Sequence, residues 1–327
     1  MAEIKLGSLT VYSYGLVVAL AVALGLAVAA VLFRKAKMKD GALSWFALLA
    51  IPMGLLGARL GYYVSCLEFT FEGFFAFTEG GFMLYGAMGG AVLAAMLTAR
   101  ITGEKTGRLL DNLAAPAALV IGFSRLAEGL VGQGYGWYVA DWFDPEMGMS
   151  LFHFEHFDFV QRFPFAVVDM YEEWSWAIFV WEALVAFAIF FVMLKTPARR
   201  SGWRAMLFTV CYASLQALNE GLRQDAVLRW GFVRINQVAS AIIIAVLLGV
   251  CCVKMAKPRD VRAIILSWVG VVAGMGVVMA MEFALEKKIM ALEWMPMDMC
   301  YVIMFLACIG MIFAFRAVWR KSNMTEE

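Results

Sequence analysis

Residues 112–132 read NLAAPAALVIGFSRLAEGLVG, and this stretch decides the fold. It is long enough and apolar enough to cross a bilayer, which takes about 20 mostly apolar residues. It nevertheless holds Arg125 and Glu128. A charge inside a span is costly and turns toward a cavity or a partner. Three residues apart, the two share a helix face and can pair. As a purely structural ion pair they would be a poor source of stability. As the lining of a cavity, Arg125 presents a planar fork suited to a phosphate.

Working outward, the whole chain has the same character. Of its 327 residues, 63% are hydrophobic and 16% charged. Ordinary soluble domains sit near half and a quarter. The excess falls in blocks that predict about nine spans, at 10–33, 43–65, 80–99, 112–132, 174–195, 203–222, 235–254, 262–283 and 297–318. The expected fold is therefore an all-α polytopic membrane protein. The net charge of +1 gives no pull toward nucleic acid. The six cysteines form no CxxC pair and read as small core residues. The first apolar run starts near Val11, is too long for a cleavable signal peptide and lacks a basic stretch before it.

Lys and Arg cluster after the first, third, fifth, seventh and ninth spans, for example Arg34 and Lys35, Arg100, Lys195 and Arg199, Lys257 and Arg259, and Arg316 and Arg320. The positive-inside rule then predicts an N-terminus outside and a C-terminus in the cytoplasm. The long aromatic and acidic segment 134–172 faces the exterior, where it rests on the membrane or covers a site. A basic linker at 254–262 divides the chain into a seven-span core, 1–256, and a plainer two-span hairpin with a tail, 257–327, which could dock a membrane partner.

Other polar residues lie in or beside spans. Arg59 sits among Gly57, Gly61 and Tyr62, where it can snorkel or line a site, and the glycines suggest close helix packing. Glu220 and Arg223, with Gln216 one turn earlier, make one polar face. Tyr85 stands among Gly80, Gly81, Gly86, Gly89 and Gly90, a pattern that permits a close approach or a bend. Interhelical hydrogen bonds account for Glu182, Gln237 and Ser240. His153 and His156 are the only histidines, and no other ligands gather in sequence around them, so neither a metal nor a cofactor is expected.

These residues, in this order, resemble the prolipoprotein diacylglyceryl transferases over roughly residues 8–255. Ser13-Tyr14-Gly15-Leu16 is similar to the family's Trp-Tyr-Gly-Leu. Gly57-Ala58-Arg59-Leu60-Gly61-Tyr62 is similar to its Gly-Gly-Arg-hydrophobic-Gly-Tyr. Glu79-Gly80-Gly81 with Tyr85-Gly86, and Asp111 with Ala115-Pro116, match further motifs. The signature Gly-Arg-x-Gly-Asn-Phe-x-Asn-x-Glu-x-x-Gly corresponds to 124–136. Here Arg125 and Gly136 are kept, while Glu128, Val131 and Gln133 replace the two Asn and the Glu. Glu182 falls on the Glu that closes a His-Pro-x-Gln-x-Tyr-Glu motif whose His and Pro are absent. Glu220 and Arg223 match Glu-x-x-Arg, Gln216 stands where an Arg is usual, and Gln237 with Ser240 matches Gln-x-x-Ser.

The resemblance implies an enzyme of the bacterial inner membrane. It would move diacylglyceryl from phosphatidylglycerol to the lipobox cysteine of a prolipoprotein, with membrane lipid and signal peptide as its partners. It implies Arg125 and Arg223 as phosphate ligands, Glu220 as the residue that orients Arg223, and Tyr85 and Tyr14 at the headgroup. Arg59, Glu128, Gln133, Gly136, Gln216 and Gln237 would complete the substrate site. A carboxylate at Glu128 would oppose phosphate, so either it is protonated or the site serves another substrate. A relative that binds lipid or lipoprotein without this chemistry, or transfers another lipid group to another acceptor, is the alternative.

Overall fold

A computed structural model describes residues 3–6, 9–67, 69–77, 80–147, 149–152, 154, 156, 158–224, 229–230, 233–255, 260–286 and 294–323. Among the described residues, nine helices reach 18 residues: α1 (Ser13–Lys35), α2 (Ala42–Cys66), α4 (Leu84–Thr102), α5 (Thr106–Glu128), α7 (Ile178–Lys195), α8 (Trp203–Leu222), α9 (Ile235–Val253), α10 (Val261–Leu285) and α11 (Met297–Asn323). Short helices α3 (Phe71–Phe75) and α6 (Val139–Phe143) lie in the connections. Eight of the nine are long and apolar enough to cross a membrane. The exception is α8, whose polar face is buried and which packs against α5, α7, α9 and α11. Its polar face meets protein, so it can carry Gln216, Asn219 and Glu220 inward. The chain is a multi-pass, all-α membrane protein.

The span ends differ from the expected ones where local pairing competes with the helix. Residues 10–12 belong to strand β2 (Leu9–Tyr12), antiparallel to β1 (Glu3–Leu6). Strand β4 (Trp174–Trp176) pairs with β3 (Ala166–Val168), so α7 starts at Ile178 rather than 174. Gly80 and Gly81 take φ of +77° and +76°, left-handed values that delay α4 to Leu84.

Glycines set the tightest helix crossing. A Cβ at Gly57 of α2, or at Gly86 or Gly90 of α4, would fall on the facing helix's backbone, the close approach that small residues permit in membranes. Arg59 lies at this crossing, 2% exposed. Its Nε donates to the Phe74 carbonyl at 3.1 Å, and its two terminal nitrogens donate to the carbonyls of Gly73, Ala76, Gly80 and Gly81. The guanidinium thus gathers the loop between α2 and α4.

The last two helices form a hairpin that is joined to the core. They pack on each other, but α11 also packs along α8 and α9. Val271, Phe315, Val318 and Trp319 share one core with Trp203, Leu207 and Ile244. Trp319 donates to the Trp203 carbonyl at 2.7 Å. The described residues of 134–172 form a cap over the start of α7, the end of α8 and the start of α11. Gly136 and Trp176 bond at 2.8 Å, Gln224 donates to the Tyr135 carbonyl at 2.9 Å, and Asp298 of α11 accepts from Ser150 and Leu151. Trp142 stacks on Tyr301 with centroids 6.0 Å apart.

Candidate active site

Three helices converge beneath this cap. The last turn of α5 brings Arg125 and Glu128, the first turns of α7 bring Glu182, and one face of α8 brings Tyr212, Gln216 and Glu220 at four-residue spacing. Arg223 follows where α8 ends. Glu128 bridges the two arginines, with one oxygen 2.5 Å from Arg125 and the other 2.8 Å from Arg223. Glu182 reaches the same two, at 3.5 Å and 3.3 Å. Arg125 also donates to the Tyr212 hydroxyl at 3.2 Å, which donates to Gln216 at 3.0 Å. The Gln216 amide donates to Glu182 at 3.4 Å and Glu220 at 3.3 Å.

The network continues outward through α9 into the C-terminal helices. Asn236 donates to Glu220 at 3.0 Å. Arg234 donates to the carbonyls of Glu220 and Arg223 and lies 3.4 Å from Glu282 of α10. Gln237 donates to Glu282 at 2.5 Å and to the Ala217 carbonyl at 2.9 Å. Tyr301 of α11 donates to the Gly221 carbonyl at 3.0 Å. Tyr85 and Ser240 share a 2.5 Å hydrogen bond, and the Tyr85 ring meets Tyr212 edge-on at 6.4 Å. Tyr14, at the start of α1, lies within electrostatic range of Glu128, Arg125 and Arg223.

The residues expected from sequence therefore divide. Arg125, Glu128, Gln216, Glu220, Arg223 and Gln237 meet in one network, with Tyr85 and Tyr14 at its border. Arg59 stands apart, its donors taken by backbone carbonyls. The Gln133 side chain is exposed, while its N–H donates to the Glu128 carbonyl at 3.0 Å. Gly136 is a packing position, since a Cβ there would stand 2.8 Å from Ile178 and 3.2 Å from the Leu222 carbonyl. Glu220 was expected to orient Arg223. Glu128 and Glu182 are among the partners of Arg223, and the Glu220 carboxylate meets Gln216 and Asn236.

Sequence reasoning missed Tyr212, Arg234, Asn236, Glu282 and Tyr301. The 212/216/220 spacing is the signal that would have found Tyr212. An acid in the last turn of a span was the signal for Glu282. Among the described residues no three His, Cys, Asp or Glu gather to hold a metal. Glu79, His153, Lys257 and Arg259 lie outside the described residues, and His156 is exposed.

Among the described residues, three guanidiniums and four carboxylates join in this ionic network. Buried charges persist only when paired and hydrogen-bonded, and each of these has partners. Of the two carboxylates that bridge Arg125 and Arg223, Glu128 is the more exposed, with a side chain 13% exposed against 1% for Glu182. An anion that displaced it would face two guanidinium forks held in place by Glu182 and Tyr212.

The profile of a family described as prolipoprotein diacylglyceryl transferase matches residues 2–253. Among similar proteins, the phosphatidylglycerol–prolipoprotein diacylglyceryl transferase of Listeria welshimeri serovar 6b is 25% identical over 257 residues, covering 78% of this chain and 89% of that protein. Those so named in Symbiobacterium thermophilum and Bacillus licheniformis are 26% and 23% identical. They cover 73% and 79% of this chain, and 87% and 93% of their own lengths. The matched segment carries α1 to α9 and, with them, Arg125, Glu128, Glu182, Glu220 and Arg223, so the chain belongs to the prolipoprotein diacylglyceryl transferase family.

Proposed function

We propose that the chain transfers the diacylglyceryl group of phosphatidylglycerol to the cysteine thiol of a prolipoprotein lipobox. The observation that carries this reading is the pair Arg125 and Arg223, joined through Glu128 at 2.5 Å and 2.8 Å under the cap. The N-terminus lies outside and the C-terminus in the cytoplasm of a bacterial inner membrane, which puts the pair near the outer leaflet. Residues 1–256 form the transferase core, completed by side chains from 257–327.

The lipid phosphate displaces Glu128 and is held by Arg125 and Arg223. The freed Glu128 takes the thiol proton, giving the thiolate that is the true nucleophile. Sulfur attacks the glyceryl carbon that bears the phosphate. The C–S bond forms, the C–O bond breaks, and the electron pair leaves on glycerol phosphate, whose developing charge the two arginines stabilise. Glu182 and Tyr212 keep Arg125 aligned, while Tyr85 and Tyr14 border the headgroup.

A second reading has its own observation. Gln216 stands where the family has an Arg, and Glu128 where it has an Asn, which leaves four carboxylates against three guanidiniums among the described residues. That balance favours a relative that binds lipid or lipoprotein without transfer. Purified protein incubated with labelled phosphatidylglycerol and a lipobox peptide separates the two. Lipidated peptide from the native chain and none from Arg125→Ala supports the transferase. Retained lipid without product supports the second reading.

A further inference from the structure

Away from this site, α7, α8 and α11 enclose a groove of about 850 Å³. Ile189 of α7 and Ile312 of α11 stand on its walls, and Leu207, Cys211 and Leu215 of α8 form a floor at four-residue spacing. One end differs sharply from the rest. Lys195, Arg199, Arg316 and Arg320 all line it, and no Asp or Glu lines the groove.

Basic residues are common at one end of membrane helices, so their number alone decides nothing. Their lack of partners does. Nearby cations are engaged. Arg200 donates to the carbonyls of Lys254 and Ser322, Arg204 to those of Thr196 and Asp111, and Lys321 pairs with Asp260. Among the described residues, Lys195, Arg199, Arg316 and Arg320 have no carboxylate or carbonyl partner. All four are exposed and converge on one cavity.

Length points the same way. From Val185 to Lys195 the α7 wall rises about 15 Å at ~1.5 Å per residue, half the ~30 Å hydrocarbon thickness of a bilayer. An apolar trough one leaflet deep with a cationic mouth matches an acyl chain below a phosphate. We propose that this groove is a binding site for an anionic glycerophospholipid, distinct from the transferase site. The acyl chain lies along α8 and the phosphate sits among Lys195, Arg199, Arg316 and Arg320. In the orientation proposed above, the lipid belongs to the cytoplasmic leaflet. One wall is α11, which follows the segment matched by the family, so the site is a property of the C-terminal helices.

The test reads binding alone and does not depend on transfer. The purified full chain, exchanged into detergent and stripped of lipid, is titrated with phosphatidylglycerol or with phosphatidylcholine of the same acyl chains. Bound lipids per protein are counted by native mass spectrometry. Two variants target the groove: Arg316→Ala/Arg320→Ala removes half of the cationic mouth, and Ala188→Trp fills the trough from an exposed position. The native chain is expected to hold one phosphatidylglycerol more than either variant, with affinity for that molecule falling at least about tenfold. Phosphatidylcholine counts should not change in the charge variant. The proposal is overturned if both variants retain phosphatidylglycerol like the native chain. It is equally overturned if the charge variant loses both lipids alike, which would mark an apolar surface suited to a partner helix rather than a phosphate site.

Discussion

Arg234 and Glu282 meet at 3.4 Å, one partner within the segment shared with the family and the other on a helix that follows it. Both side chains are nearly buried, at 6% and 13% exposed. Glu282 also takes the Gln237 amide, and Arg234 in turn holds the carbonyls of Glu220 and Arg223. The C-terminal helices therefore brace the very turn that delivers Arg223.

Breaking this pair from the α10 side leaves a buried guanidinium without its carboxylate, a change that costs about 3–5 kcal/mol. Glu282→Ala is expected to lower the unfolding temperature by several degrees. Glu282→Gln, which keeps the shape and one acceptor, should fold more nearly like the native chain and still show a raised KM for lipid. If Glu282→Gln were native in both melting and KM, the bracing role would be wrong.

Much of the fold could be read from composition, because span length and apolar content are set by bilayer thickness. The ends of spans could not. Trp174 and Tyr12 look like span residues and are in strands, since short hairpins at the interface satisfy backbone groups before the helix begins. Arg125 and Glu128 stood out because charge in a span is costly. Glu182 was read as an ordinary interhelical donor or acceptor because one carboxylate in a run of apolar residues does not reveal two arginines from other helices. Arg59 posed the converse difficulty. The carbonyls that hold it belong to Gly73, Phe74, Ala76, Gly80 and Gly81, all outside its own helix.

Asp111 lies far from the ionic network and is 4% exposed. Its two oxygens accept from the N–H groups of Gly202 at 2.7 Å and Ala205 at 2.9 Å. It therefore caps α8 from a neighbouring helix, serving donors that have no partner within α8 itself. Loss of such a cap costs typically about 1 kcal/mol and up to about 2. Asp111→Ala should melt a few degrees lower, with Asp111→Asn in between, and the KM for lipid should stay native in both. A changed KM with unchanged melting would contradict a capping role.

Arg59 is expected to act through the loop it gathers. Lysine keeps the charge but has one nitrogen in place of the guanidinium fork and cannot reach carbonyls as far apart as Gly73 and Gly81. Arg59→Lys should expose residues 70–81 to limited proteolysis while the remaining helices stay resistant. A native digestion pattern would mean that the α2–α4 crossing alone orders the loop.

Glu128 carries the sharpest test of the mechanism. If it leaves the arginines when phosphate arrives and then accepts the thiol proton, its two roles act on different constants. Glu128→Gln weakens the bond to be displaced, because an amide competes less strongly for Arg125 and Arg223 than a carboxylate does. The KM for phosphatidylglycerol should stay the same or fall. The amide cannot serve as a base, and loss of a general base typically removes about 10²–10⁴ of rate. The kcat should fall by that order, and a peptide whose thiol is more acidic should recover part of it. A raised KM with native kcat would instead make Glu128 a lipid ligand and move proton abstraction to another group.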